Sequence, residues 1–210
     1  KSLKIKKIIR HIKTSKKDAC ILTSCDTICW LFNIRAQDLE YSPLIMAKSI
    51  IHRDGSCFIF SDQKTLKNET LNSKIKIIYK PLHHFDSHLN EYKDSIRSYL
   101  CAPNDTSFNV VMLIKEIGAK VIFKDNIVDI LKAKKNTTEE NGMRNAHIRD
   151  GVALTKFIYW VKNRKNNSQT EISASNYLDN LRSKSKNFFS LSFPTIAGSG
   201  PNGAIVHYRA

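Results

Sequence analysis

The side chains best placed to do chemistry lie in the last segment of the chain, from Ser192 to Ala210. Here a Pro201-Asn202-Gly203 turn separates two apolar runs, a pattern that predicts a β-hairpin. The second run, Ala204 to Tyr208, alternates like a half-buried strand and carries His207. An imidazole can donate a hydrogen bond to a developing oxyanion, so His207 is the candidate catalytic residue. From the pattern alone, a half-buried strand histidine is the simpler interpretation.

A second set of candidates consists of two pairs spaced by one helical turn. Cys25 and Cys29 form one pair and His84 and His88 the other, which together suggest a zinc site. Since the cysteine pair has no CxxC partner, we favour core cysteines and surface histidines. The five cysteines are an odd number, and the chain shows no secretory signal. We therefore expect a reducing, cytoplasmic compartment without disulfides.

Composition narrows the classes of partner. The chain has 210 residues, 41% hydrophobic and 25% charged, with a net charge of +15. The basic residues are spread along the whole chain, without a helix-turn-helix, zinc-finger or base-stacking pattern, so we expect no nucleic-acid partner. No apolar run approaches the roughly 20 residues that a membrane-spanning helix needs. We therefore expect no membrane partner.

Up to residue 133 the sequence alternates between strand and helix patterns, which is typical of helices covering a sheet. The strongest local signal is the Asp54-Gly55 dipeptide between two apolar runs, which predicts a hairpin across Lys48 to Phe60. We also expect a helix capped by Asp26. The amino terminus is expected to form an amphipathic helix whose apolar side carries Leu3, Ile5, Ile8, Ile9 and Ile12. Further strands are predicted at Asp18–Ser24, Lys74–Lys80, Phe108–Leu113 and Lys120–Phe123, and further helices at His88–Leu100 and Ile127–Lys134.

The character of the sequence changes near residue 134. Thr137 and Glu140 have the spacing of a capping box that opens a long helix, and Thr170 caps a second helix. We therefore predict one domain over residues 1–133 and the start of an α+β domain over residues 134–210. A domain rarely finishes on the strand that presents its polar group, so we expect the chain to be a fragment.

Several other side chains could be mistaken for functional groups. His147 lies among apolar neighbours on the long helix and is interpreted as a packing histidine. Trp30 and Trp160 are interpreted as core anchors. Arg149 and Asp150 are adjacent in sequence and do not face each other on a helix, so we expect separate contacts.

Four segments together resemble one known family. MRNAHIRDGVALTKFIYW (Met143–Trp160) is similar to the first helix of the catalytic domain in the Xaa-Pro aminopeptidase family, and TEISASNYLDNLR (Thr170–Arg182) to its second helix. SFPTIAGSGPNGAIVHY (Ser192–Tyr208) is similar to the hairpin that follows. Upstream, DACILTSCDTICWLFNIRAQDLEYSPL (Asp18–Leu44) resembles the opening of the middle domain in three-domain members. The resemblance covers most of the chain.

The resemblance implies a fold and an activity. It implies a creatinase-like α/β middle domain, a mixed sheet with helices, over residues 1–133. Residues 134–210 would be the amino-terminal part of a pita-bread metallopeptidase domain. The family removes an amino-terminal residue that precedes proline, using a water or hydroxide held between two divalent metal ions, commonly manganese. A peptide with proline at its second position is the implied partner.

The same resemblance limits what this chain can do. The family's five metal ligands, two Asp, two Glu and one His, would lie beyond Ala210, so we expect no bound metal and no activity alone. Only His207 carries over, as a contact to the peptide or the tetrahedral intermediate. The alternative is a non-catalytic remnant or subunit that associates with a separate chain carrying the rest of the domain, or with a second copy. Ala36 replaces a common family Gly, and a positive φ there would cost about 1 kcal/mol.

Overall fold

The computed structural model describes residues 1–64, 66–71, 75–163 and 169–210. The helices are α1 (Ser2–Thr14), α2 (Cys25–Phe32), α3 (Phe85–Glu91), α4 (Phe108–Glu116), α5 (Ile127–Ala133), α6 (Thr137–Lys162) and α7 (Glu171–Ser183). The strands are β1 (Ala19–Leu22), β2 (Lys48–His52), β3 (Ser56–Phe60), β4 (Glu69–Leu71), β5 (Ile75–Lys80), β6 (Ser98–Cys101) and β7 (Lys120–Phe123). Short 3-10 helices span Leu82–His84 and Gly200–Ala204. Lys74, predicted to open the fifth strand, lies outside the described residues.

These residues form two compact units. The first unit comprises Lys1–Leu39 and Pro43–Lys134, and the second comprises Glu40–Ser42 and Lys135–Ala210. The seven strands found within the described ranges belong to the first unit, whereas α6 and α7 belong to the second. Among the described helices, none is both long enough and apolar enough to cross a bilayer.

The first unit is built on a mixed seven-stranded sheet of order β4-β5-β3-β2-β1-β6-β7. Strand β1 lies between antiparallel β2 and parallel β6. The hairpin predicted from Asp54-Gly55 is confirmed, since β2 pairs antiparallel with β3 and Ile50 lies opposite Phe58. Helices cover both faces, which is why all four residues of β1 and of β6 are buried. The predicted mixed sheet with covering helices is confirmed.

Two apolar layers hold this unit together, one on each face of the sheet. On the first face, Ile5, Ile8 and Ile12 of α1 pack with residues of α2 and the strands. On the opposite face, Phe85 of α3 and Val110 of α4 pack with strand residues that include Tyr99. The predicted amphipathic face of α1 is confirmed by these isoleucines, although Leu3 is 76% exposed. The predicted Asp26 cap is wrong, because Ser24 is the N-cap residue of α2 and Asp26 lies in its first turn.

The predicted helix at His88–Leu100 is wrong, because it joins two different elements. Helix α3 ends at Glu91, and the amide of Ile96 then donates to the carbonyl of Tyr92 in a turn. Strand β6 follows, and Tyr99 lies opposite Ala19 of β1 and Val121 of β7. Strands β1 and β7 pair with both edges of β6, and the covering helices bury both of its faces. This environment overrides the helical spacing of its apolar residues.

The predicted strand at Phe108–Leu113 is also wrong, because this segment belongs to α4. Val110, Val111 and Ile114 are its buried residues, at helical spacing. Gly118 has a φ of 76°, and the amides of Gly118 and Ala119 donate to the carbonyls of Lys115 and Ile114. This pair of bonds is a Schellman motif, a helix-terminating turn that favours glycine. The predicted strand at Lys120–Phe123 and helix at Ile127–Lys134 are confirmed as β7 and α5, within one residue.

The second unit is two capped helices followed by an irregular segment. Asn136 caps α6 in a capping box with Glu139, one residue before the predicted Thr137 and Glu140 pair. Thr170 caps α7 as predicted, and Ser173 completes that box. Trp160 stacks on Tyr177 of α7 at 4.0 Å between ring centroids. Among the unit's described residues, only the side chains of Ala153 and Leu178 are buried.

Four smaller expectations can be compared with the structure. The five cysteines are free, four of them buried and Cys25 half-buried. Trp30 is half-buried, with the Lys4 ammonium 3.7 Å from its ring centroid. His147 is exposed rather than packed, and its Nδ1 lies 2.8 Å from the carbonyl of Met143. Ala36 is not among the residues with positive φ, so replacement of Gly there causes no left-handed strain.

Candidate functional site

The segment that carries His207 is not the hairpin predicted from its sequence. The residues from Ser192 to Tyr208 contain no strand, and Gly200–Ala204 is a 3-10 helix. The amide of Asn202 donates to the carbonyl of Ser199, and the amide of Ile205 to that of Asn202. Pro201, Asn202 and Gly203 therefore close a helical turn, and the apolar residue that follows continues it instead of pairing with another strand.

One carboxylate binds this segment to α7. Glu171 Oε1 accepts from the Ser199 amide at 2.5 Å, and Oε2 accepts from the Tyr208 hydroxyl at 2.8 Å. The side-chain amide of Asn202 donates to both oxygens, at 3.2 and 3.1 Å, and also to the Tyr208 hydroxyl at 3.0 Å. Three groups spread over ten residues thus share one acceptor. We call Glu171, Ser199, Asn202 and Tyr208 the Glu171 cluster.

The cluster keeps Glu171 ionised. The Ser199 amide, the Tyr208 hydroxyl and the Asn202 amide donate to the carboxylate and hold the pKa of Glu171 below its usual range. The hydrogen bond to Glu171 in turn raises the pKa of the Tyr208 phenol. Glu171 also occupies the first turn of α7, where the helix dipole favours a negative charge.

His207 lies beside this cluster. Its side chain is exposed, and its φ of 56° is in the left-handed region that non-glycine residues seldom adopt. The flanking turn is closed by the Tyr208 amide, which donates to the carbonyl of Ile205 at 3.3 Å. His207 is thus on the surface of the second unit, in a turn whose last residue is held by Glu171. Its catalytic role stays a prediction.

The described residues do not fit a pair of metal ions. Within these ranges, no three His, Cys, Asp or Glu side chains are grouped so that they could hold one ion. The cysteine and histidine pairs that suggested a zinc site are also separated from each other. Cys29 packs on one face of the sheet, and the ring of His88 contacts Phe58 on the other face. Cys29 is a core residue as interpreted, and His84 is exposed. His88 is buried, so the surface assignment is wrong for that residue.

Sequence reasoning missed a cluster of two histidines and two aromatic rings in the first unit. The rings of His52, Phe58, His88 and Tyr92 lie with neighbouring centroids 4.2 to 5.9 Å apart. Burial lowers the pKa of both histidines, and that of His88 falls to about 3. The burial of His52 could have been predicted from the sequence, because His52 lies two residues after Ile50 and hence on the same face of β2.

A groove also lies in the second unit, lined by residues of α6 and α7 and by the segment after α7. Its volume is about 520 Å³, and its walls include Phe188 and Phe193. Within it, Arg182 donates to both carboxylate oxygens of Asp150, at 2.7 and 3.3 Å. This bidentate pair joins the two helices.

Comparison with known proteins agrees with the two-part organisation. Residues 2–139 match the family profile of the creatinase/prolidase N-terminal domain, and residues 141–210 match that of metallopeptidase family M24. The chain is 32% identical to a probable Xaa-Pro aminopeptidase P of Paracoccidioides brasiliensis, over 99% of this chain and 36% of the relative. It belongs to the Xaa-Pro aminopeptidase family. It is also 32% identical to a probable Xaa-Pro aminopeptidase P of Laccaria bicolor, over 98% of this chain and 33% of that relative.

The fold supports this membership of the Xaa-Pro aminopeptidase family. The chain superposes on an X-prolyl aminopeptidase from Caenorhabditis elegans, described as a cytosolic enzyme with a di-nuclear active site, with a TM-score of 0.80. The identity is 26%, and the match covers 96% of this chain and 36% of that one. The chain thus spans about a third of the length of the relatives it matches. The family is one of metallopeptidases, and hence of hydrolases.

Proposed function

We propose that this chain is part of an enzyme that removes the amino-terminal residue before a proline, at a dinuclear metal centre. Similarity to Xaa-Pro aminopeptidase P relatives over nearly the whole chain carries the proposal. Residues 1–133, which contain most of the first unit, would be the non-catalytic domain, and residues 134–210 would open the catalytic domain. The cytosolic description of the nematode protein supports a cytoplasmic location.

The metal pair, for which we propose manganese, would activate a water molecule in the complete enzyme. The described residues supply no donor set for it, so we propose that the 210-residue chain does not hydrolyse peptides alone. The contribution of this chain would be His207. Its imidazole would donate a hydrogen bond to the peptide or to the oxyanion of the tetrahedral intermediate. The exposed position of the ring leaves it accessible to a peptide.

A second function is favoured by the exposed apolar side chains of the second unit. In this alternative the chain is a non-catalytic subunit that binds a separate polypeptide carrying the remaining M24 residues. Exposed apolar surface on a soluble protein is typical of a site that binds another protein. The side chains include Met143, Ile148, Val152, Ile158, Ile172, Phe189, Phe193 and Val206, each at least 46% exposed.

An assay of the purified chain tests the first proposal. With manganese present we expect no cleavage of Xaa-Pro peptides and fewer than two bound ions per chain by elemental analysis. The matched control is a His207→Ala preparation, because a contaminating host peptidase would give equal turnover in both. Turnover that the intact chain shows and the variant loses would contradict inactivity.

A co-expression experiment tests the second proposal, that the chain is a non-catalytic subunit. The chain would be produced with a tagged polypeptide corresponding to the remaining M24 residues of the nematode enzyme. Recovery of a complex that cleaves Xaa-Pro peptides would support the subunit alternative. A chain that stays monomeric, unfolds cooperatively and is not retained with the tagged polypeptide would contradict it.

A further inference from the structure

We infer that Glu171 is the positioning residue for His207, holding residues 199–208 against the first turn of α7. The inference rests on the function proposed above for His207. A group that stabilises an oxyanion must be held within about half an ångström of its working position. An exposed turn at a left-handed residue does not supply that precision by itself, so a fixed external contact is required.

Glu171 is suited to fix the segment because it is itself fixed. It is the first residue of α7, between the capping residue Thr170 and Ser173, whose side chains and amides bond reciprocally. Its carboxylate is therefore attached to the end of a 13-residue helix rather than to a loop. Elements of regular structure hold functional groups more precisely than loops do.

The chain bends sharply so that its donors converge on this carboxylate. A Cβ added at Gly198 would lie 3.0 Å from the carbonyl oxygen of Asn202, so only glycine fits there without a shift. Gly200 has a φ of 55°, which a side chain would disfavour. These two glycines bring the Ser199 amide and the Asn202 side chain to the same side of the turn.

The anchoring of this segment also restrains His207, because of where His207 lies in the sequence. It precedes Tyr208, whose hydroxyl is held by Glu171 and whose amide closes the turn with Ile205. The backbone after His207 is thus restrained at two points. Loss of the carboxylate would free Ser199 at the start of the segment and Tyr208 at its end, and the imidazole would lose its fixed direction.

Replacement of Glu171 by Gln in the 210-residue chain tests the inference. Gln keeps the shape, but its amide group places a donor where the Asn202 and Tyr208 donors converge. The matched control is Glu140→Gln, the same change in the first turn of α6, where the carboxylate contacts Arg144 at 3.5 Å. The measurements are hydrogen exchange at the Ser199 amide and the pH profile of the His207 ring signals by NMR. A His207→Ala spectrum would assign those signals.

The expected result is specific to Glu171. In Glu171→Gln, exchange at Ser199 should accelerate roughly tenfold, since a charge-assisted hydrogen bond is lost. The His207 signals of the unchanged chain should show an acid step as Glu171 protonates. That step should vanish in Glu171→Gln and persist in Glu140→Gln. Unchanged exchange, a persistent step, or an equal effect of the control would overturn the inference.

A second variant keeps the inference testable if Glu171→Gln fails to fold. Tyr208→Phe removes only the hydroxyl, so Ser199 should stay protected while the acid step in the His207 signals weakens. An acid step as large as in the unchanged chain would overturn the inference. None of these readouts requires peptide or metal. The positioning role can therefore fail while the proposed aminopeptidase function stands, and the reverse holds equally.

Discussion

At the scale of single residues, α1 and α2 are both followed by a non-glycine residue with a left-handed backbone. The amides of Lys16 and Lys17 donate to the carbonyls of Lys13 and Ile12, which is a Schellman motif with Lys16 at its left-handed position. Asn33, the residue directly after α2, is also left-handed, with φ 54°. Lys16 has a φ of 55°, and a lysine there carries a steric cost that glycine does not.

Replacement of Lys16 by Gly should therefore stabilise the chain. We expect the free energy of unfolding to rise by about 0.5–1 kcal/mol, since relief of the left-handed strain exceeds the entropy that glycine adds to the unfolded chain. Urea unfolding would measure it. The matched control is Lys13→Gly, which removes the same charge inside the helix and should destabilise by about 0.5–1 kcal/mol. Destabilisation by both variants would refute the cap assignment.

At the scale of elements, the buried histidine cluster joins α3 to the sheet. The Lys80 ammonium donates to Nδ1 of His88 at 3.3 Å, which requires a neutral ring. Glu91 Oε2 lies 3.9 Å from the same Nδ1, and His52 packs alongside. The pKa of His88 is lowered to about 3, mainly by burial and then by the charges of Lys80 and His52.

The packing of α3 should consequently be lost in acid. Because the folded-state pKa of His88 is below the value of about 6.5 in the unfolded chain, the unfolded state binds more protons below that pH. The free energy of unfolding should fall as the pH is lowered from about 6.5 toward 3. His88→Phe should make this decline shallower, as measured by thermal unfolding across that range.

The matched control for this prediction is one helical turn away. His84 is exposed, so His84→Phe should leave the acid decline unchanged. If His88→Phe and the control gave the same pH profile as the unchanged chain, the neutral buried ring would not be the source of the acid sensitivity.

Local signals explain which elements could be predicted from the sequence. The Asp54-Gly55 hairpin and the Thr170 cap depend on neighbouring residues, and both are correct. The run Phe108–Leu113 fits a strand or a helix by periodicity, and Gly118 was the signal that distinguishes them. The environment of His207 was not predictable locally. It depends on Glu171, which lies 28 residues before Ser199 and 37 before Tyr208.

At the scale of the whole molecule, the two units differ in how much apolar surface they bury. The first unit has an apolar layer on each face of its sheet, whereas Ala153 and Leu178 are the buried side chains among the described residues of the second. Since burial of apolar surface is the dominant stabilising contribution, the second unit should be the less stable one.

The two tryptophans allow this difference to be measured. Trp30 belongs to the first unit and Trp160 to the second, so Trp160→Phe and Trp30→Phe each leave one fluorophore in one unit. We expect the Trp160 signal to change at a lower urea concentration than the Trp30 signal. Circular dichroism of both variants would control for the substitutions themselves. Coincident transitions would show a single cooperative unit instead.

The position of β1 also has a consequence for synthesis of the chain on the ribosome. One edge of β1 pairs with the nearby β2, but the other pairs with β6, and the Asp18–Ser98 contact at that edge spans 80 residues. At roughly 5–20 residues per second, about 4–16 s of translation separate the two halves of that contact. Throughout this interval the apolar strand β1 has one unpaired edge. We therefore expect chaperones to cover that edge on the nascent chain until Ser98 emerges.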